Sequence, residues 1–297
     1  MKTMLSEAAP ASPEQREHIT GMIQAQVPLV VEKYLDSYEG GVRFIDNGTG
    51  AMNDVRDFVR DLVRKYGSPN QYASEEVASS YTYPPEYKGP KSICDQILYL
   101  AEVFNLNPDS ALAYAQIRPE LKSFVPEDAL PFVGWFAFPR AIATGAVLSK
   151  IAASRSFYNY RASQMDRLRV HSRTAMAIET LSEQQGNGDI LVAALQLGMR
   201  HRGRSTRRAH EVFVRNEFGA TSVIGGAIIL THPERFVRWE QLHMDLPGEE
   251  FDNPASSVRF GLAPYLHWLD GMLKFGTGAV GGAFGYFGSA SGFLPQK

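Results

Sequence analysis

Tyr265-Leu266-His267-Trp268-Leu269 and Met272-Leu273-Lys274-Phe275 flank the pair Asp270-Gly271. Asp-Gly between two runs rich in β-forming residues marks a two-residue hairpin, because both central positions of that turn need positive φ. This commits the C-terminal part of the chain to an antiparallel ladder. The surrounding residues agree. Val237, Trp239, Leu242 and Met244 alternate loosely, Pro247-Gly248 and Asp252-Asn253-Pro254 read as turns, and glycines alternate with aromatics from Gly276 to Gly292.

Upstream of residue 230 helical spacing dominates. Ser12-Pro13-Glu14-Gln15 supplies a cap, a proline at the first helical position and a capping-box glutamine. Pro28 should kink or split the helix that follows, and Gly40-Gly41 should end it. Val42 to Ile45 reads as a short strand. An amphipathic helix starts after Asn53, with Val55, Phe58, Val59 and Leu62 on one side. Residues 70–90, rich in tyrosine and proline, read as irregular. Helices are expected over 92–105, 108–118, 141–153 and 163–184, and from Ala209 to Phe218. Leu130 to Pro139 reads as extended. The apolar runs Ile190 to Leu197 and Val223 to Leu230 are buried, as strand or helix, since their period does not decide. The expected fold class is α+β, with a mainly helical N-terminal and central body and a smaller antiparallel β region at the C-terminus. A frayed tail covers 1–11, the helical body 12–230 and the β-rich region 231–297. No flexible linker separates the last two, so a single domain stays open.

Composition excludes several classes. Hydrophobic residues make up 44% and charged residues 21%, with a net charge of −2. That suits a sizeable core and argues against a whole surface built for nucleic acid. The single cysteine, Cys94, excludes an internal disulfide framework and cysteine-rich zinc sites. It is expected as a small buried thiol. No apolar stretch approaches the roughly 18 residues of a membrane span. The N-terminal residues carry no apolar signal core, so the expectation is a cytosolic protein without a membrane partner.

Residues 200–208 concentrate positive charge. Arg200, Arg202, Arg204, Arg207 and Arg208 occupy five of nine positions. Guanidinium groups suit phosphate and carboxylate, and Gly203 permits a sharp turn or close approach to a ligand. Ser205 and Thr206 stand where a helix begins, so their hydroxyls read as caps rather than nucleophiles. Arg200, Arg202, Gly203, Arg204, Ser205, Arg207 and Arg208 form the candidate anion-binding set. The rival reading pairs these arginines with Glu211, Glu217, the 249–252 acids or another subunit. Arg161, Arg167, Arg169, His171 and Arg173 make a second basic zone.

Other motifs are weaker. Gly276-Thr277-Gly278-Ala279-Val280-Gly281 has the G-x-G-x-x-G spacing, but too few residues follow for the required helix and strand, and none of them is acidic. No phosphate loop, G-x-S-x-G elbow or H-E-x-x-H pattern occurs. His243 and Asp245 share one side of a strand, with Glu249, Glu250 and Asp252 beyond the turn. The set would suit a divalent metal or acid–base work, and equally a solvated acidic loop. No cofactor or metal is called for.

The strings His201-Arg202-Gly203-Arg204-Ser205, Asn216-Glu217-Phe218-Gly219, Leu230-Thr231-His232-Pro233-Glu234-Arg235 and Gly288 to Pro295 resemble an uncharacterised bacterial protein family over residues 130–297. Gly134-Trp135-Phe136-Ala137 is in the same style. The resemblance implies a bacterial-type intracellular protein and brings no activity, ligand or catalytic residue.

Three functions follow as expectations. The first is a non-catalytic protein that binds a polyanion, nucleic acid foremost, through the arginine segment. The second is a structural or assembly protein with those arginines in ion pairs, in which a homo-oligomer is open. The third is an enzyme on a small, phosphate-bearing or otherwise anionic substrate, with His201, His243 or the 249–252 acids as acid and base.

Overall fold

The computed structural model describes residues 13–34, 37–48, 54–55, 58–59 and 70–295. The chain forms two compact units, 1–71 and 72–297. In the first, α1 (Pro13–Tyr34) runs through Pro28 as one helix, and α2 (Tyr38–Asp46) follows. The strand expected at Val42 to Ile45 lies inside α2, as do Gly40 and Gly41, expected to end a helix; a four-residue stretch is too short for its period to decide. Asp54, Val55, Phe58 and Val59 are helical as expected. The tail at 1–11 and most of the amphipathic helix fall outside the described residues.

The second unit opens with an irregular segment, then α3 (Ile93–Phe104) and α4 (Asp109–Ile117), close to their expected bounds. β1 (Val133–Pro139) is the first strand, and α5 (Thr144–Ser154), β2 (Phe157–Asn159), β3 (Leu168–Val170) and α6 (Ser172–Gln184) follow. The helix expected over 163–184 is therefore shorter and follows a strand. β4 (Ile190–Gln196) is buried at every position, so both its faces are covered and its sequence shows no alternation. After α7 (Thr206–Val212) come β5 (Glu217–Gly219) and α8 (Ser222–Thr231). The helix expected to reach Phe218 stops at Val212. The rest of the chain supplies β6 (His243–Asp245), β7 (Glu249–Phe251), β8 (Leu262–Leu269), β9 (Met272–Ala279), β10 (Phe287–Ser289) and β11 (Ser291–Phe293).

Two sheets result. The first is antiparallel, in the order β1-β4-β11-β5. The second has seven strands. β10-β6-β8-β7-β3 forms its path, β9 pairs with β8, and β2 with β9. It is mixed, since β10–β6 and β2–β9 are parallel. Asp270 and Gly271 both have positive φ at the bend between β8 and β9, as the hairpin requires.

These sheets correct the expected fold class. The body upstream of 230 is not mainly helical: β1 to β5 lie there, and they share both sheets with strands from beyond 230. The β region is neither small nor wholly antiparallel. The sequence misleads because β4 and α8 are both continuous apolar runs, one a strand and the other a helix. α8 packs on β1, α5 and β8, and is buried nearly all round. On α3, Gln96 completes the outer edge of β1: its amide donates to the Trp135 carbonyl at 3.1 Å and accepts from the Ala137 N–H at 3.2 Å. Among the described residues no helix is long and apolar enough to cross a membrane.

Candidate functional site

The arginine segment is an extended stretch entering α7. Bridges join Arg204 to Glu76 and Arg202 to Gly288. Ser205 caps α7, its hydroxyl accepting from the Arg208 N–H, as expected. Four of its five arginines meet carboxylates of the same chain. Arg200 lies 2.7 Å from Asp128 and 3.5 Å from Glu217. Arg204 lies 3.3 Å from Glu76. Arg207 Nε reaches both oxygens of Glu75 at 2.8 Å. Arg208 contacts Glu76 at 2.5 Å and Glu211 at 2.7 Å. Arg202 donates to the Tyr81 carbonyl at 3.3 Å.

Beneath them His201 is fully buried and lies 2.7 Å from Glu217. The guanidinium of Arg204 donates to His201 Nδ1 at 3.1 Å. Arginine has no acceptor, so Nδ1 carries no proton and Nε2–H donates to Glu217. Burial lowers the imidazole pKa and keeps this ring neutral. Glu217 also accepts from the Ser291 hydroxyl at 2.5 Å. Burial pushes its pKa up, but His201, Arg200 and Ser291 outweigh burial and hold the carboxyl below its usual range.

The second sheet carries a cavity of about 280 Å³ on the face away from the main core. Met244 on β6 and Leu266 on β8 pair and point into that core. Their neighbours Asp245, Tyr265 and His267 take the other face, because side chains alternate along a strand. Phe287 of β10 adds a further wall, while Trp239, Phe284 and Tyr286 stand at the open side. Trp239 and Tyr286 have ring centroids 5.2 Å apart, Phe284 and Tyr286 5.6 Å, and Tyr265 and His267 5.0 Å.

One carboxyl faces these rings. Among the described residues no side chain donates a hydrogen bond to Asp245, and no arginine or lysine lines the cavity. Desolvation pushes the Asp245 carboxyl up to about 7. His267 is pulled down to about 4 and His243, just behind it, to about 3, both mainly by burial. Both rings are therefore neutral at pH 7. His243 Nδ1 accepts from the Trp268 N–H at 3.4 Å, and the buried Nε2 atoms of both histidines lack a hydrogen-bond partner among the described residues.

The arginine segment braces this cavity. Thr206 lines it. The Gly203 N–H donates to the Phe287 carbonyl at 2.9 Å, and the Arg207 N–H to Val280 at 3.0 Å. On its other side the segment holds the chain at 75–79: Val77 donates to the Gly203 carbonyl at 2.8 Å and Ser205 to the Glu75 carbonyl at 3.0 Å. Gly203 has φ of +75°, and a Cβ there would stand 2.2 Å from the Val77 carbonyl oxygen.

The acids expected near His243 disperse. Only Asp245 lines the cavity. Glu249 accepts from the Ser222 N–H at 2.9 Å and from its hydroxyl, Glu250 pairs with Arg169 at 2.5 Å, and Asp252 pairs with Arg259 at 2.6 Å. Among the described residues no group of three or more His, Cys, Asp or Glu could hold a metal ion. Cys94, expected to be buried, is exposed on α3. Trp239, Tyr265, His267, Phe284 and Tyr286 carried a signal in the aromatic and glycine pattern of the C-terminal region, but linear spacing did not show that they converge.

A second cavity, of about 610 Å³, opens between α5, α6 and the start of α8. Its buried acid, Glu249, is already engaged by Ser222, whereas Asp245 has no such partner among the described residues. Comparison of the chain with protein-family models, curated proteins and solved structures gives no match.

Proposed function

We propose that the protein is a non-catalytic binder of a small organic cation, with Asp245 as the counter-charge. The observation that carries this reading is a carboxyl inside an aromatic-walled cavity, with no ion-pair partner and no cationic side chain in the lining among the described residues. A cation over an aromatic face gains about 0.5–1 kcal/mol when exposed and about 2 kcal/mol when desolvated. Several rings and one carboxylate supply that attraction together. Ligand pockets of this kind combine apolar walls with a few polar groups that fix orientation.

The arginine segment enters this reading as a brace. Carboxylates within 4.0 Å of Arg200, Arg204, Arg207 and Arg208 support the ion-pair account of it over the polyanion account. The enzyme account lacks a shared pocket: His201 is committed to Glu217, and Glu249, Glu250 and Asp252 have other partners.

Calorimetric titration of the full chain with choline at pH 8 tests the proposal. Saturable binding that Asp245→Asn weakens at least tenfold is the expected result. Undiminished binding by a folded Asp245→Asn protein would overturn it.

A further inference from the structure

We infer that the cation is a fully alkylated ammonium, a trimethylammonium group on a small free molecule, recognised between the Trp239–Tyr286 rim and Asp245. This rests on the cation reading and narrows it. A primary ammonium carries three N–H donors, each of which must replace a bonded water on entry. The cavity offers few acceptors. Four backbone carbonyls around it are occupied: Asp245 O accepts from Ala290, Tyr286 O from His243, Phe287 O from Gly203, and Ala279 O from Gly282. The Tyr265 hydroxyl lies over β9, where a Cβ on Gly276 would stand 2.6 Å from it. That leaves the Asp245 carboxylate, the Thr206 and Tyr286 hydroxyls and one ring nitrogen of the neutral His267 among the lining side chains.

An alkylated ammonium has no N–H to satisfy. Its charge is spread over methyl groups that pack against ring faces, and the cavity supplies such faces on several sides. The neutral His267 ring adds a face without adding a competing charge. Size points the same way. A volume of about 280 Å³ falls just below the range of roughly 300–1,000 Å³ typical of drug-sized ligands. A trimethylammonium head with a short substituent suits it. The rim rings are accessible from outside, Trp239 being 37% and Phe284 50% exposed.

The test uses three probes that share a hydroxyethyl arm, on the full chain at pH 8: choline, ethanolamine, which lacks the methyl groups, and 3,3-dimethylbutan-1-ol, the uncharged carbon analogue of choline. Choline binding at least tenfold tighter than both others supports the inference. Equal binding of choline and ethanolamine overturns it while leaving the cation reading intact. Equal binding of choline and the neutral alcohol, or no binding of any probe, overturns both. Trp239→Leu should weaken choline about fivefold to tenfold and leave ethanolamine nearly unchanged, and Trp239→Phe should restore most of the loss. Because Trp239 stands at the surface, these variants separate recognition from folding.

Discussion

Asp245 stands directly opposite Tyr265 in the β6–β8 ladder, so a carboxyl and a phenol ring meet side by side on the cavity face. Cross-strand neighbours on one face are in contact range. The ring limits the water around the carboxyl, and the carboxyl in turn raises the phenol pKa, after burial and Tyr160. An acid held near pH 7 in this way makes cation binding pH-dependent. The ionised form attracts the ligand and the protonated form does not. The affinity for choline should therefore be flat above pH 8 and fall by up to about tenfold per unit below pH 7, with one proton released per ligand bound at pH 6. Titration in two buffers of different ionisation enthalpy measures that proton directly. An affinity constant from pH 5.5 to 8.5 would count against Asp245 as the counter-charge.

The same acid lowers stability. Its folded pKa of about 7 lies above the ordinary aspartate value of 3.8, so the folded state binds the extra proton between those limits. Stability from this group is fully present below pH 4 and is lost as pH rises towards 7. Asp245→Asn, which removes the ionisation, should stabilise the protein by about 1–3 kcal/mol at pH 8 and by little at pH 4.5. Urea unfolding at both pH values checks this. Stability gained at a site where binding is lost is the pattern expected when a residue is kept for its ligand.

The buried histidines act in the opposite direction. His210 and His232 are pulled down to about 4, His267 also to about 4, and His243 to about 3, in each case chiefly by burial. Each is neutral when folded and takes up a proton when unfolded below about 6.5. Their contribution is fully present above pH 6.5 and is lost as pH falls through 6.5 towards 4. Each histidine adds up to about 1.4 kcal/mol per pH unit inside that window. Unfolding free energy should fall steeply from pH 6.5 to 4.5, with uptake of more than one proton. Chemical denaturation across that range would show it.

Local signals were the legible part of this sequence. The Asp270-Gly271 bend, the Ser205 cap and the bounds of α3 and α4 follow from neighbours in the chain, and each stands where turn or capping chemistry requires. β4 and α8 did not declare themselves, because a run buried on every side carries no period to separate strand from helix. Glu211 and Glu217 were legible as partners of the arginines from their nearness in the chain, and Arg208 and Arg200 meet them; the more distant partners were hidden. Glu75 and Glu76 lie about 130 residues from Arg207 and Arg208, and residues 70–90 gave only an irregular, tyrosine-rich reading. Asp245 was singled out through its spacing from His243. Its true setting depends on Trp239, Phe284 and Tyr286, which only the tertiary fold brings to it.

The arginine clasp can be dissected by burial. Arg208 is nearly buried and holds Glu76 and Glu211, so Arg208→Ala takes a cation from both carboxylates, Glu76 keeping its contact with Arg204. Breaking a buried pair from one side costs about 3–5 kcal/mol. Arg207 is 45% exposed, and its pair with Glu75 is screened by solvent. Arg207→Ala should cost less than about 1 kcal/mol. Thermal or urea unfolding of the two variants would measure the contrast. Equal, small effects would mean that the carboxylates do not engage these arginines in solution, and the polyanion account of the segment would regain ground.

Two glycines separate bracing from recognition. At Gly203 the φ of +75° and the Val77 carbonyl, 2.2 Å from any Cβ, are both features of backbone and cannot yield cheaply. Gly203→Ala should destabilise the protein by at least about 2 kcal/mol and weaken ligand binding as the 75–79 chain and Phe287 lose their anchor. At Gly276 the obstacle is the far end of the Tyr265 ring, which can swing aside. Its displacement changes the wall next to Asp245 more than it disturbs the core. Gly276→Ala should cost about 1 kcal/mol or less in stability but weaken choline several-fold. Paired unfolding and titration of both variants checks the distinction. Loss of affinity that simply follows loss of stability in both would show that Tyr265 plays no separate part in holding the ligand.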